Sequence, residues 1–203
     1  MFDFDGVLIN TIQFWFRLHK SANETLTWEQ FSDMSNGNFI VKQNELHKEG
    51  KYNWPTDYEQ SYDEALEKEF TIEDILHDTV LDLADEYHLS IVSSASNKVI
   101  TKFLQKQNLE GCFHEILGYE DHHSKVVKIK SLLEKYSINS KDAVLITDTL
   151  GDVSEANDAS VKSIGVTWGL HKEDTLRQGN PTKIIDNPLD LVIAIENVLK
   201  YIT

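Results

Sequence analysis

Short apolar runs recur along the second half of this chain, and each is separated from the next by a stretch with helical spacing. Leu89-Ser90-Ile91-Val92, Ala143-Val144-Leu145-Ile146 and Ser163-Ile164-Gly165-Val166 are the clear ones, and Lys183-Ile184-Ile185 is weaker. Between them, Val99, Ile100, Phe103 and Leu104 share one face of a predicted helix over 99–107. Val126, Ile129, Leu132 and Leu133 do the same over 126–136, and a last helical pattern covers 189–201. Apolar positions three and four apart bury one stripe of a helix, whereas a short continuous run suits a strand covered on both faces. Strand and helix alternating at this spacing implies βαβ units, hence an α/β fold with a parallel sheet flanked by helices.

The first part of the chain departs from that rhythm. Residues 11–70 contain no convincing strand and hold three of the four tryptophans, Trp15, Trp28 and Trp54. Helix-start signals recur there, Thr27 followed by Gln30 and Thr56 followed by Glu59, and Thr71 with Asp74 opens a further helix over 72–87. Gly37, Gly50 and Trp54-Pro55 are the expected turns. The expected organisation is an α/β core from 1–10 and 71–203, with an all-helical insert over 11–70. A single α/β domain with a helical N-terminal layer is the alternative.

Composition narrows the function. A formal net charge of −15 repels nucleic acid and anionic membranes, so neither is an expected partner. The single cysteine, Cys112, excludes an intramolecular disulfide and fits a reducing compartment. The early charges at Asp3 and Asp5 argue against a signal peptide, and no apolar run approaches the roughly 20 residues of a membrane span. A cytoplasmic protein, monomer or homodimer, is expected.

Several of the apolar runs end abruptly in reactive residues. Met1-Phe2 meets Asp3-Phe4-Asp5-Gly6, 89–92 meets Ser93-Ser94, and 143–146 meets Thr147-Asp148-Thr149-Leu150-Gly151-Asp152. Ligands of open parallel sheets bind just beyond the carboxyl ends of the strands, so these endings can converge on one site. Asp3 and Asp148 are candidate carboxylate ligands for Mg²⁺, which takes octahedral oxygen donors, and the main-chain carbonyl of Asp5 offers a third oxygen. Asp152 could hold a metal-bound water or orient a lysine. Ser93 suits a phosphate oxygen, with Ser94 and Ser96 as competitors. Lys125, before the helix over 126–136, can neutralise a phosphate or a nucleophilic carboxylate, with Lys128 as the alternative. Read singly, each has an ordinary explanation: Asp and Ser as helix caps, Lys as a solvated charge, His122 and His123 as loop residues. Trp15, Arg17 and Trp54 are candidates to face a substrate, although Phe14, Trp15 and Leu18 also have the spacing of an insert core. Arg17, Lys20, Lys42, Lys48 and Lys51 are the insert's candidate contacts for an anion.

Taken in order and spacing, Asp3-Phe4-Asp5-Gly6-Val7, Ser93, Lys125 and Asp148-Thr149-Leu150-Gly151-Asp152 resemble the haloacid dehalogenase superfamily. The likeness is to its phosphoglycolate phosphatase and β-phosphoglucomutase-like branch, and 161–169 is similar to that branch too. The resemblance implies a Rossmann-like core with a helical cap. It implies Asp3 as nucleophile and Asp5 as general acid/base. It implies Ser93, Ser94 and Lys125 around the phosphoryl group, and Mg²⁺ held by Asp3, Asp5, Asp148 and Asp152. The implied activity is Mg²⁺-dependent hydrolysis of a small phosphorylated metabolite through an aspartyl-phosphate. A phosphotransferase or phosphosugar mutase on the same intermediate is the alternative, and a non-catalytic phosphate-binding module is a further one. Three features depart from the pattern: only Met1 and Phe2 precede the nucleophile, Thr147 stands where Gly is common, and Asn10 stands where Asp is frequent.

Overall fold

The computed structural model describes residues 1–200, so Tyr201, the end of the last predicted helix, lies outside the described residues. Five strands carry the core: β1 (Leu89–Val92), β2 (Phe113–Leu117), β3 (Val144–Thr147), β4 (Lys162–Val166) and β5 (Lys183–Ile185). All pairings among them are parallel, β1 with β2 and β3 with β4 and then β5. The two groups are joined by the N-terminal segment. Phe2 bridges Ile91 on one side and Ile146 on the other. Its N–H donates to the Ser90 carbonyl at 2.8 Å, its carbonyl accepts from Val92 at 2.9 Å, and the Asp3 N–H donates to Ile146 at 2.9 Å. The spatial order is therefore β2, β1, the N-terminal segment, β3, β4, β5. This places Asp3, Ser93 and Asp148 beyond the carboxyl ends of three adjacent strands.

β2 is absent from the expectations above. It pairs only with β1, at the edge of the sheet, and the polar pair His114-Glu115 interrupts its apolar residues Phe113, Ile116 and Leu117. An edge strand needs no continuous apolar run, so the signal that marks β1 and β3 is missing there.

Helices cover the sheet. α5 (Asp74–Glu86) buries Leu76, Val80 and Leu83, and α6 (Asn97–Lys106) buries Val99, Ile100, Phe103 and Leu104. α7 (Lys125–Lys135), α8 (Leu150–Asp158) and α10 (Leu191–Lys200) complete the layers, with the four-residue α9 (Glu173–Leu176) between β4 and β5. α6 starts where Ser96 accepts from Val99 N–H, and α8 where Thr149 accepts from Asp152 N–H. α5 starts at Asp74 with no side-chain cap, two residues later than the Thr71 signal indicated.

Four helices precede α5: α1 (Ile12–Ala22), α2 (Trp28–Asp33), α3 (Phe39–Lys48) and α4 (Tyr58–Lys68). The Thr27–Gln30 pair forms a reciprocal capping box. The Thr56–Glu59 pair does not: Asp57, at φ 55, occupies the cap of α4. These helices have an apolar cluster of their own around Leu26, Phe31, Met34 and Tyr52, which also takes in Leu170 from beyond β4. α4 turns the other way, and Tyr62 and Leu66 join the main core.

At the centre of the small cluster lies His19, only 3% exposed, with its Nδ1 against the Tyr52 hydroxyl. Burial pushes its pKa down to about 4. Because the folded value lies below the unfolded one, the unfolded chain binds more protons between the two. The stability of neutral His19 is whole above about pH 6.5 and is lost as the pH falls toward about 4. Between about pH 7 and pH 4, the wild type should lose on the order of 2–4 kcal/mol more stability than His19→Gln, as measured by denaturant titration. Equal pH slopes in the two proteins would remove His19 as the cause.

Candidate active site

The Asp3 carboxylate follows directly from the bridging residue Phe2, and the backbone holds it in place. Asp3 Oδ1 accepts from the Phe4 N–H at 2.7 Å. Its Oδ2 meets Lys125 Nζ at 2.7 Å, and the same ammonium reaches Asp152 Oδ2 at 2.7 Å. Lys125 opens α7 and Asp152 lies in the first turn of α8, so one cation ties the ends of two helices to the central strand. The structure thus gives Asp152 the lysine-orienting arrangement. Lys128, the alternative, turns away and donates to the Ser93 carbonyl at 2.5 Å.

All three members of this cluster are buried. Burial opposes the charge on Lys125, but Asp152 and Asp3 outweigh it and raise its pKa. Burial opposes the charge on Asp152, but the Lys125 charge and hydrogen bonds from Lys125 and Thr147 overcome it and hold Asp152 below the ordinary carboxylate range. Asp3 is driven the other way, by burial first, against the pull of Lys125, with the Asp152 and Asp148 charges adding to it. Lys128 is pushed down to about 8 by burial and by the charge of Lys125.

Asp148 ends β3. Its Oδ2 accepts from the Leu170 N–H at 2.7 Å, and its Oδ1 is buried with no hydrogen-bond partner. Burial lifts its pKa to about 7, against the Leu170 hydrogen bond and with the Asp152 charge. Two glycines make room for this carboxylate. A Cβ at Gly6 would lie 2.0 Å from Asp148 Oδ2, and Gly6 sits at φ +75. A Cβ at Gly169 would lie 2.3 Å from the same oxygen. The chain therefore passes Asp148 on both sides where only glycine fits.

Asp5, half-buried, lies on the cavity side of the turn. Its Oδ1 accepts from Tyr62 Oη at 2.6 Å, from Trp15 Nε1 at 3.1 Å and from Thr11 Oγ1. The surrounding protein raises its pKa, and these three hydrogen bonds oppose that without cancelling it. Ser93 is buried and its Oγ accepts from the Ala95 N–H at 3.1 Å, while Ser94 is exposed. His122 and His123 are exposed loop residues.

The sequence-derived candidates Asp3, Asp5, Ser93, Ser94, Lys125, Asp148 and Asp152 all line one cavity of about 640 Å³. Four participants were not singled out. Thr11 and Tyr62 carry no motif, and only folding brings them to Asp5. The Leu170 N–H is a main-chain group that no residue type announces. Thr147 stood out only as a departure, yet its hydroxyl donates to Asp152 Oδ2 at 2.7 Å.

The cluster suits a divalent cation on three grounds. Asp148 Oδ1 is a buried acceptor without a donor. Asp3, Asp148 and Asp152 bring three carboxylates to one buried ammonium, which leaves room for two positive charges. Oxygen donors are the right kind for a hard ion. Among the described residues no three acidic, histidine or cysteine side chains form a ready-made cage. Mg²⁺ needs none, since it binds through one or two carboxylates together with substrate phosphate and water.

Residues 1–166 match the haloacid dehalogenase-like hydrolase family, and the chain belongs to it. A phosphoglycolate phosphatase of Psychrobacter arcticus is 28% identical over 117 residues, 56% of this chain and 50% of that protein. The pyrophosphatase PpaX of Listeria innocua is 21% identical over 210 residues, covering 97% of this chain and 95% of its own. The chain spans about half the length of the first curated relatives it matches. In three dimensions it resembles a hydrolase from Pseudomonas syringae, with a TM-score of 0.79, 15% identity and coverage of 97% and 96% of the two chains. That likeness extends to the fold.

Replacing Lys125 by Met strands two buried carboxylates. The variant should lose about 3–5 kcal/mol of stability in denaturant titrations, and adding Asp152→Asn should return part of it. Additive losses in the double variant would mean that the two groups are not coupled.

Proposed function

We propose that this protein is a Mg²⁺-dependent phosphomonoester hydrolase working through an aspartyl-phosphate on Asp3. The observation that carries the reading is the buried cluster itself: Asp3 and Asp148 beyond adjacent strands, Lys125 fixed between Asp3 and Asp152, and one Asp148 oxygen without a partner. The division of the chain into a core (1–10 and 71–203) and a helical cap (11–70) belongs to the same proposal. The match to the phosphatase relatives supports it.

In this reading Asp3, Asp148 and the Asp5 carbonyl hold the metal, and Asp152 fixes Lys125 beside it. The bound cation would offset charge on the phosphoryl oxygens. An Asp3 carboxylate oxygen attacks phosphorus while the bond to the leaving oxygen breaks. Asp5, in its protonated form, gives its proton to that oxygen, and the alcohol departs. The ionised Asp5 then takes a proton from water. The water oxygen attacks phosphorus, the bond to Asp3 breaks, and inorganic phosphate leaves with Asp3 restored. Lys125 and Ser93 bind the phosphoryl oxygens in both half-reactions. The raised pKa of Asp5 suits a group that starts protonated. Three donors on one oxygen, Oδ1, fix the direction in which Oδ2 points.

The test is phosphate release from a panel of phosphomonoesters with Mg²⁺. Asp3→Asn should abolish turnover, and a mass gain of one phosphoryl group on Asp3 should appear in rapidly quenched wild type. Asp5→Asn should lower kcat by about 10²–10⁴-fold. Independently of turnover, Mg²⁺ should raise the melting temperature of the wild type and raise it less in Asp148→Asn. Hydrolysis retained in Asp3→Asn would sink the mechanism, and phosphate passed to an added alcohol instead of water would make the protein a phosphotransferase.

A further inference from the structure

We infer that the ester taken by this site has an uncharged, largely apolar leaving group, ring-sized or larger, with no second anion. The inference rests on the hydrolase reading above and names its substrate class. It contrasts with the small, multiply charged substrates in the relatives' names, phosphoglycolate and pyrophosphate.

Size is the first ground. The cavity that begins at Asp3 and Asp5 extends for about 640 Å³ into the helices of 12–68. This is the volume of a site for a drug-sized ligand, and a two-carbon acid leaves most of it unfilled.

The wall is the second ground. Beyond the carboxylates it is lined by Trp15, Phe31, Phe39, Ile40, Trp54 and Tyr58. Such a surface rewards an apolar or aromatic group and, for an anion, offers neutral donors in place of a cation.

Charge is the third. None of the cap cations Arg17, Lys20, Lys42, Lys48 and Lys51 is in the wall. Lys20 donates to the Leu26 carbonyl, while Lys42 and Lys51 pair with Glu45 and Glu49. Among the described lining residues the cations are Lys125, already bonded to Asp3 and Asp152, and the exposed Lys98. Glu59, Asp63 and Glu155 share that lining, although Asp63 pairs with Lys102 and Glu155 accepts from Ser124 and the Lys125 N–H. A substrate carboxylate or second phosphate would thus meet a lining with acidic members and, apart from Lys125, one exposed lysine to receive it.

One polar side chain of the wall gives the leaving group no contact. Gln43 is wholly buried in the same wall. Its Nε2 donates to Tyr52 Oη at 3.1 Å, and its Oε1 has no partner. With no surface open to the cavity, that acceptor lies out of a leaving group's reach. Asp5 sets the orientation: the Trp15 and Tyr62 side chains that bond it also join the lining, so the leaving oxygen lies at the mouth of the aromatic cavity.

The experiment compares kcat/KM with Mg²⁺ for 2-phenylethyl phosphate, ethyl phosphate and phosphoglycolate, whose leaving groups are all alkoxides. The phenylethyl ester should lead both others by about tenfold or more, the scale of burying one ring. Trp54→Ala should shrink the ratio of phenylethyl to ethyl kcat/KM, and Phe39→Ala serves if that variant does not fold. As a readout free of turnover, 2-phenylethylphosphonate should bind the wild type about tenfold or more tightly than phosphonoacetate by calorimetry. Phosphoglycolate preferred over the phenylethyl ester, or phenylethyl and ethyl esters turned over alike, overturns the inference alone. No phosphate release from any ester, with wild type matching Asp3→Asn, overturns the hydrolase reading beneath it.

Discussion

The Lys125 ammonium lies 2.7 Å from Asp3 and 2.7 Å from Asp152, with almost no exposure to water. Three parts of the chain distant in sequence contribute to that contact: the N-terminal segment, the start of α7 and the first turn of α8. Each charge is expensive to bury alone and tolerable only beside the others. The geometry of the helices around the sheet is therefore tied to the same few atoms that would meet a phosphoryl group. A buried pair of this kind contributes little net stability compared with an apolar replacement, but it fixes position, and position is what a nucleophile requires.

Asp148 shows how the surrounding backbone serves that cluster. Gly6 and Gly169 approach its carboxylate so closely that a Cβ at either would strike it, and the Leu170 N–H takes one of its oxygens. The other oxygen is buried and unmatched. Thr147 adds a second restraint. A side chain at this position does not crowd the acidic loop. Its hydroxyl donates to Asp152 and its oxygen accepts from the Thr149 N–H at 3.3 Å. Asp152 is thereby held by a lysine and a hydroxyl, which keeps it ionised and pointing at Lys125.

The parts of this arrangement legible in the sequence are those encoded by local pattern. β1 and β3 are continuous apolar runs because both faces of the sheet are covered, and their ends are marked by Ser93 and Asp148. The helices α6 and α7 follow from three-and-four spacing. The capping box of α2 is read from Thr27 and Gln30, whereas Thr56 and Thr71 carry similar signals that the fold does not use, because tertiary packing sets where α4 and α5 begin. β2 is hidden because, at the sheet edge, the polar pair His114-Glu115 breaks its apolar run. Trp15 is legible only as a candidate to face a substrate, and the bonds that it, Thr11 and Tyr62 make to Asp5 are hidden for a different reason. Thr11, Trp15 and Tyr62 are 6, 10 and 57 residues away along the chain, and no spacing rule links a carboxylate to them.

Those same donors connect chemistry to recognition. Trp15 is in α1 and Tyr62 in α4, and both bond the carboxylate that the proposed mechanism uses for proton transfer. Their rings pack against each other at 4.5 Å between centroids. The α2–α3 segment is meanwhile tied to the core: Asn38 donates to the His123 carbonyl at 2.9 Å, His171 meets the Ser32 carbonyl at 3.1 Å, and a Cβ at Gly151 would lie 2.1 Å from the Gly37 carbonyl. The helices that line the apolar cavity are thus anchored over the site while two of their side chains orient Asp5. In the proposed mechanism, a leaving group that fills the cavity would contact the side chains that hold Asp5. A small anion reaches Asp3 without touching most of them. Discrimination by the cavity would therefore act on proton transfer as well as on binding, and would be felt in kcat and not in KM alone.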